Sequence, residues 1–182
     1  MYFTSDTHFH HKNICKLANR PFASTEEMNE VLIFNWNSVV GPNDTIYHLG
    51  DFSFGIQVEM NNVLSRLNGI KHLILGNHDK GIRHNPKSYA KYFKSIQDYL
   101  ELKNVYNEHF VLSHFAFRVW NKSHRGSINL YGHSHGNLPP IGRQIDVGVD
   151  CKLITDEYRP VHVNEIINYM TNIDIVNQDH HV

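Results

Sequence analysis

The sequence predicts an α/β protein in which two packed β-sheets are flanked by helices. Two observations support this prediction: strand and helix patterns alternate through the first half of the chain, and short strands with short connections fill the second half. Neither an internal repeat nor a linker divides the 182 residues, which suffice for one hydrophobic core. We therefore expect a single domain over residues 1–171 and a polar tail over residues 172–182.

The first half of the chain has the pattern of βαβ units. An apolar run at residues 2–5 predicts the first strand, and the capping-box sequence Ser24-Thr25-Glu26-Glu27 predicts the start of a helix. That helix would place one apolar face on a sheet, formed by Met28, Val31, Leu32, Trp36 and Val39. Two strands and an intervening helix are predicted next, at 45–49, 71–75 and 57–67.

The second half indicates strands with short connections, which favours antiparallel pairing. We predict a helix at 87–96 and a closing helix at 164–170. The strands predicted between these helices lie at 99–105, 109–112, 127–131 and 144–149.

The overall charge argues against a partner with many phosphates. Lysine and arginine together number 17 and aspartate and glutamate 18, so the net charge is -1 when histidine is neutral. A chain without a basic excess has no electrostatic footprint for extended nucleic acid, and we expect a small substrate. The sequence leaves the oligomeric state open.

Cysteine usage and the absence of long apolar segments favour a cytoplasmic protein. Cys15 and Cys151 lack the spacing of a thiolate zinc site or a disulfide framework. No run approaches the roughly 20 apolar residues of a membrane span, and the first residues lack the features of an export signal. We therefore expect neither export nor contact with a membrane.

Metal-competent side chains follow the predicted strands near the points where the strands end. They are Asp6, His8, Asp51, Asn77, His78, His114, His133 and His135. Ligand sites in open α/β sheets lie at the carboxyl ends of strands, so residues far apart in the chain can converge there. The i, i+2 spacing of Asp6/His8 and of His133/His135 would place both members of each pair on one side of an extended backbone.

The types and the number of these side chains predict a site for two metal ions. Imidazole, carboxylate and amide oxygen suit Mn²⁺, Fe²⁺, Co²⁺, Ni²⁺ or Zn²⁺, of which we favour Mn²⁺. The candidate ligands are too many for one ion, whereas two ions that share a carboxylate account for them. Glycines at 50, 76 and 132 would permit tight turns before three of the groups. Taken singly, a histidine after a strand is more often a hydrogen-bonded structural residue than a metal ligand, so the prediction depends on the whole set.

Five motifs occur in order along residues 1–150: Asp6-Thr7-His8, Gly50-Asp51, Gly76-Asn77-His78-Asp79, Ser113-His114 and Gly132-His133-Ser134-His135. Their order and spacing resemble the signature of the calcineurin-like metallophosphoesterases. Segments 6–14, 20–22 and 120–125 also resemble a small bacterial and phage branch of that family. The resemblance implies a four-layer αββα sandwich of two mixed sheets flanked by helices.

The resemblance also implies a role for each ligand. One ion would be held by Asp6, His8 and His135. The other would be held by Asn77, His114 and His133. Asp51 would bridge the two ions.

By the same resemblance His78 would be the general acid. Phe54 stands where many family members carry an acidic residue that orients this histidine. Asp79 could replace that residue only if adjacent side chains pointed the same way. The chain also lacks the arginine-bearing motif of the Ser/Thr protein phosphatases, so we do not expect a protein substrate.

Polar residues near the motifs are candidates for contact with substrate. An arginine could grip a phosphate bidentately, although surface arginines also serve solubility alone. The candidates are Asn77, Arg118, His124, Arg125, His11 and Arg20. The Gly-Asn-His-Asp context of Asn77 would also suit a turn residue, which does not exclude metal binding.

We expect a dinuclear metal-dependent phosphoric ester hydrolase that uses metal-activated hydroxide, with catalytic roles for Asp51 and His78. A small phosphodiester is the favoured substrate, with a nucleotide or a cyclic nucleotide as candidates. Two alternatives remain: a phosphomonoesterase of the same fold, and a non-catalytic metal-binding interaction scaffold.

Overall fold

The chain forms an α/β fold of two mixed β-sheets in a computed structural model that describes residues 1–176. Within this range the strands are β1 Tyr2–Thr4, β2 Thr45–His48, β3 Ile70–Ile74, β4 Phe93–Gln97, β5 Tyr99–Val105, β6 Glu108–Ser113, β7 Ile128–Tyr131, β8 Gln144–Asp146 and β9 Val161–His162. The α-helices are α1 Ile14–Leu17, α2 Thr25–Val39, α3 Gln57–Arg66, α4 Lys80–His84 and α5 Val163–Met170. Residues 177–182 of the expected tail lie outside the described range.

Each sheet combines parallel and antiparallel pairs. The first has the order β4-β3-β2-β1-β9, in which β1 to β4 are parallel and β9 is antiparallel to β1. The second has the order β5-β6-β7-β8, in which β5 is antiparallel to β6 and the rest are parallel. A bridge between Ser5 and Gly148 joins the ends of β1 and β8. The carboxyl ends of parallel strands from both sheets therefore adjoin.

Alternate residues of the first sheet face two separate cores. Ile46 and Leu73 pack on α2 and α3, against Met28, Leu32, Trp36, Met60, Val63 and Leu64. Tyr47 and Ile74, each one residue further along, face the second sheet and pack against Phe110, Leu112, Ile128, Leu130 and Ile145. Helix α5 adds Val163, Ile166 and Met170 to that inter-sheet core. The predicted α/β sandwich of two mixed sheets with flanking helices is confirmed.

Helix α2 begins where its capping sequence predicts. The Ser24 hydroxyl oxygen accepts the backbone N–H of Glu27 at 3.1 Å, and the Glu27 carboxylate accepts the N–H of Ala23 at 2.7 Å. These bonds satisfy N–H groups that have no partner inside the helix. Strands β1, β2 and β3 and helix α3 also form within about one residue of their predicted bounds.

The second half departs from the sequence prediction in three respects. The helix predicted at 87–96 is instead a 3-10 turn, Pro86–Tyr89, followed by β4, which pairs parallel with β3 at the sheet edge. The pairing after β6 is parallel, because the connections before β7 and β8 each span about a dozen residues, enough to cross back over the sheet. The third difference is strand β9, which the sequence did not predict because two residues are too few to form a recognisable strand pattern.

Candidate metal centre

The carboxyl ends of strands from both sheets carry acidic residues and histidines to one place. The turns after β1, β2, β3, β6 and β7 contain Asp6, His8, Asp51, Asn77, His114, His133 and His135. Backbone hydrogen bonds tie these turns together: the Asp6 N–H donates to the Gly50 carbonyl at 2.9 Å, and the Gly132 N–H donates to the His114 carbonyl at 2.9 Å. The convergence follows from the parallel strand order.

Two groups of side chains each have ligand atoms close enough for one ion. In the first group, ligand atoms of Asp6, His8 and His135 lie within 4.8 Å of one another. The second group consists of Asp51, His114 and His133, whose ligand atoms also lie within 4.8 Å of one another. Asn77 adds an amide oxygen to the second group, because its Oδ1 lies 3.0 Å from His114 Nε2.

Asp51 lies between the two groups. Its Oδ2 is 3.5 Å from His114 Nε2 and 3.8 Å from His8 Nε2. Its Oδ1 accepts the backbone N–H of His78 at 2.8 Å, which fixes the carboxylate. Burial by itself would raise the pKa of Asp51, but hydrogen bonding and the charge of His114 outweigh it and lower the pKa to about 2. The carboxylate is therefore ionised at neutral pH and faces both groups.

Several nitrogen and oxygen atoms of the first group are buried without a hydrogen-bond partner. Among residues 1–176, the Oδ1 of Asp6 and both ring nitrogens of His8 have no hydrogen bond. A buried polar atom left unsatisfied costs about 1–3 kcal/mol, so native structures rarely tolerate several together. A cation would satisfy Asp6 Oδ1 and His8 Nε2, which lie 3.7 Å apart. The residues present therefore fit a divalent ion.

Five of the candidate ligands adopt a left-handed backbone conformation. The φ angles are 55° at Asp6, 50° at His8, 57° at Asp51, 66° at His133 and 48° at His135. Each such residue costs on the order of 1–3 kcal/mol, and such residues cluster at functional sites. The extended backbone expected for the two i, i+2 pairs does not form, because both members of each pair have a left-handed backbone conformation.

Glycines allow the backbone to approach the ligand carboxylates. A Cβ on Gly132 would clash with the Ser5 hydroxyl and the Asp6 carboxylate, and one on Gly76 would clash with the Asp51 carboxylate. The expected turn role applies to Gly50, whose φ is 102°. Any side chain at Gly76 or Gly132 would displace a candidate metal ligand.

Asp150, which the sequence analysis missed, orients His135. The ring Nδ1 donates to Asp150 Oδ2 at 2.6 Å, which leaves Nε2 facing Asp6 Oδ1 at 4.0 Å. Arg20 donates to both Asp150 oxygens at 2.8 Å and to the carbonyl oxygens of Asp6 and Thr7 at 2.6 and 2.9 Å. Arg20 is buried, and all three of its guanidinium nitrogens donate hydrogen bonds within the protein. Its contacts give it a supporting position rather than the substrate contact that we expected.

Asp79 supports the turn that carries Asp51. Its carboxylate accepts the backbone N–H groups of Asp51 and Gly76, each at 2.8 Å, and of Phe52 at 2.9 Å. In the described part of the chain no hydrogen bond joins it to the His78 ring. Asp79 therefore holds the backbone of this turn and does not orient the His78 ring.

His48 supports the same turn as a neutral ring. Burial lowers its pKa to about 3. Its Nδ1 accepts the Gly50 N–H at 3.2 Å, so Nε2 carries the proton and donates to Thr7 Oγ1 at 2.9 Å. The Thr7 hydroxyl donates in turn to the Phe52 carbonyl at 2.8 Å. This chain of bonds links the turn after β1 to the turn after β2.

The remaining candidate residues fall into two sets. His78 lies at the open side of the site, with Nε2 4.0 Å from Asp51 Oδ2 and a side chain that is 44% exposed. His11 lines a cavity beside it. The connection between β6 and β7 carries the other set, exposed Arg118 and Arg125 and half-buried His124.

We expect Asp150→Asn to weaken metal binding at the first group. The substitution keeps the shape of the side chain but removes the charge that stabilises a His135 ring donating from Nδ1. Loss of such an outer partner typically costs about 10–100-fold in metal affinity. Competition between Mn²⁺ binding and a chelator measures the change.

Asp98→Asn is the matched control, because this exposed carboxylate forms its ion pair with Arg83 Nη2, at 2.7 Å, and belongs to neither group of candidate ligands. It should leave metal affinity unchanged. An unchanged affinity in Asp150→Asn, or equal losses in both variants, would contradict the supporting role of Asp150.

The fold and the two adjoining donor groups define an α/β protein with a candidate dinuclear metal centre. No family model matches the sequence. The chain is 34% identical over 186 residues to the uncharacterized protein MJ1445 of Methanocaldococcus jannaschii, with coverage of 97% of this chain and 94% of that protein. It is 31% identical over 181 residues to the Gene 66 protein of Mycobacterium phage L5, with coverage of 82% and 86%. The chain belongs to the family of these proteins.

One solved structure shows the same fold. The protein of unknown function AQ665 from Aquifex aeolicus superposes with a TM-score of 0.69 at 28% identity, over 92% of this chain and 97% of that one. A phosphoesterase assigned by prediction, from Streptococcus pneumoniae TIGR4, gives a TM-score of 0.42 at 15% identity, over 81% and 69%. That second likeness is too slight to bear on the reaction.

Proposed function

We propose that the protein is a dinuclear metal-dependent hydrolase of a small phosphodiester. The position of Asp51 carries this proposal, because one carboxylate oxygen faces a histidine of each donor group, at 3.5 and 3.8 Å. Two divalent ions bound there would polarise a phosphoryl group and lower the pKa of a bound water. We propose Mn²⁺ as the ion, since the donors are imidazole and oxygen without thiolate.

His78 has the position of a proton donor. A general acid must reach the leaving oxygen from beside the reacting centre. The His78 ring is exposed to the cavity and lies 4.0 Å from Asp51 Oδ2, and its backbone N–H is held by Asp51 Oδ1. We assign to His78 the protonation of the leaving oxygen. Asn77 could use its Oδ1 as a ligand while its Nδ2 donates to a phosphoryl oxygen.

We propose that the reaction takes place in the cytoplasm. Both cysteines are free, as in a reducing compartment. No helix within residues 1–176 has the length and apolarity to span a bilayer.

Hydrolysis by metal-free and metal-loaded protein tests the proposed function. Chelator-treated protein should not hydrolyse bis(p-nitrophenyl) phosphate, and Mn²⁺ should restore the activity. The same protein should act more slowly on p-nitrophenyl phosphate and on duplex DNA, the latter because the net charge of -1 gives no basic excess to hold a polyanion.

Each contrary result points to a different alternative. Equal activity with and without metal would exclude the metal mechanism. Faster hydrolysis of the monoester would make the protein a phosphomonoesterase. Efficient duplex cleavage that falls steeply with added salt would reveal a local basic surface.

A further inference from the structure

A half-apolar cavity of about 210 Å³ adjoins the candidate metal centre. Its lining includes three histidines, His8, His78 and His135. It also includes the apolar side chains of Ile14, Leu17 and Phe54. Pockets for drug-sized ligands typically measure roughly 300–1,000 Å³, so this cavity suits one part of a small substrate.

Two large apolar side chains are exposed in this cavity. Phe54 is 42% exposed and Leu17 is 72% exposed. Single exposed apolar residues are ordinary, but apolar side chains that share a cavity with a cluster of histidines are typical of a ligand site. The two residues come from different parts of the chain, α1 and the turn after β2.

Neighbouring imidazoles hold the Phe54 ring in place. The ring centroid of Phe54 lies 4.0 Å from that of His11 at an interplanar angle of 79°, and 4.7 Å from that of His78 at 39°. The centroid of His8 lies 5.4 Å away. A ring fixed by such contacts is a pre-formed surface, which lowers the entropic cost of binding.

The rim of the cavity is polar. His11 Nδ1 accepts the backbone N–H of Asn13 at 3.3 Å, so Nε2 is the ring nitrogen available to a ligand. Asn137 adds an amide to the lining. A flat aromatic ring system could lay its face on Phe54 and turn its polar edge to these groups. A sugar or a charged group would lose hydration against Ile14, Leu17 and Phe54 without replacement.

We propose that this cavity holds an aromatic ring of the substrate, of the nucleobase kind, on the side of the group that leaves. The proposal rests on the proposed function, because His78 lines the same cavity and protonates the leaving oxygen there. Phe54 is the residue that selects this group. Removal of an aromatic side chain that stacks on a base typically weakens binding by roughly 5- to 150-fold.

Calorimetry on Mn²⁺-loaded protein tests the proposal with two ligands, adenosine 5′-monophosphate and ribose 5-phosphate, of which the second carries a hydroxyl in place of the base. The nucleotide should bind roughly 5- to 150-fold more tightly. Phe54→Ala should abolish this preference, Phe54→Trp should keep it, and Leu17→Ser should reduce it. Phe34→Ala on α2 is the matched control and should change nothing, since Phe34 is 73% exposed and lies outside the cavity.

The preference for the base separates stacking from other roles of Phe54. If Phe54 only positioned His78, its removal would affect both ligands equally. A base preference that survives Phe54→Ala would overturn the proposal, as would its absence from the unaltered protein. If the base preference were lost in Phe115→Ala and in no other variant, the base would instead lie beside Phe115. The ring centroid of Phe115 lies 4.5 Å from that of His133, a residue of the second group of candidate ligands.

The two ligands also distinguish this proposal from the proposed function. Ribose 5-phosphate reports the contact between phosphate and the metal-loaded centre alone. If neither ligand binds and Mn²⁺-loaded protein also fails to hydrolyse bis(p-nitrophenyl) phosphate, the proposed function is wrong. If both bind equally, the centre holds phosphate and only the assignment of the cavity is wrong.

Discussion

Asp51→Asn is expected to empty both metal positions and to lower phosphodiester hydrolysis by at least about 100-fold. The carboxylate oxygen faces His114 Nε2 at 3.5 Å and His8 Nε2 at 3.8 Å, so the loss of its charge weakens the hold on both ions. Bound ions supply several kcal/mol of transition-state stabilisation, and each 1.4 kcal/mol is a factor of ten in rate. Metal content by elemental analysis and kcat/KM measure the two effects.

His135→Ala gives the contrast, because this residue belongs to the first donor group alone. It should mainly empty one position. Circular dichroism of each variant establishes that the fold is kept. If Asp51→Asn retained two ions in competition with a chelator, Asp51 would not bridge the two groups.

His78→Ala is expected to keep both ions and to slow hydrolysis most for esters with poor leaving groups. General acids contribute typically 10²–10⁴-fold, and a nitrophenyl group departs as an anion without their help. The loss should therefore approach that range for an alkyl or nucleoside leaving group and be much smaller for a nitrophenyl ester. The ratio of the two kcat/KM losses is the measurement.

The control for this variant is its metal content. Equal losses on both esters with two ions present would assign His78 to substrate positioning instead. Loss of metal would make it a ligand or a support for one. The Phe54 ring centroid lies 4.7 Å from that of His78, and a phenyl ring supplies no hydrogen bond to orient the imidazole, which reduces the expected size of the effect.

The sequence could predict the candidate metal centre because local chemistry marks it. Glycine and a metal-competent side chain follow an apolar run at Asp51, at Asn77 and at His133. The parallel strands then bring these turns to one place. The start of α2 was predictable for the same reason, since Ser24 and Glu27 satisfy the helix end through nearby backbone groups.

The supporting residues could not be predicted because their partners are distant in the chain. Arg20 meets Asp150 across 130 positions, so no local pattern in the sequence pairs the two residues. Asp150 does follow the end of β8, which was the one available signal. The segment at 87–96 was misjudged because pairing with β3 at the sheet edge outweighs its local preference.

The number of Mn²⁺ ions bound per chain is the most direct test of the dinuclear centre. Chelator-treated protein is titrated with Mn²⁺, and bound and free metal are separated by equilibrium dialysis. The two donor groups, with Asp51 between them, predict saturation at two ions per chain. Saturation at one ion, or no binding at all, would contradict a dinuclear site.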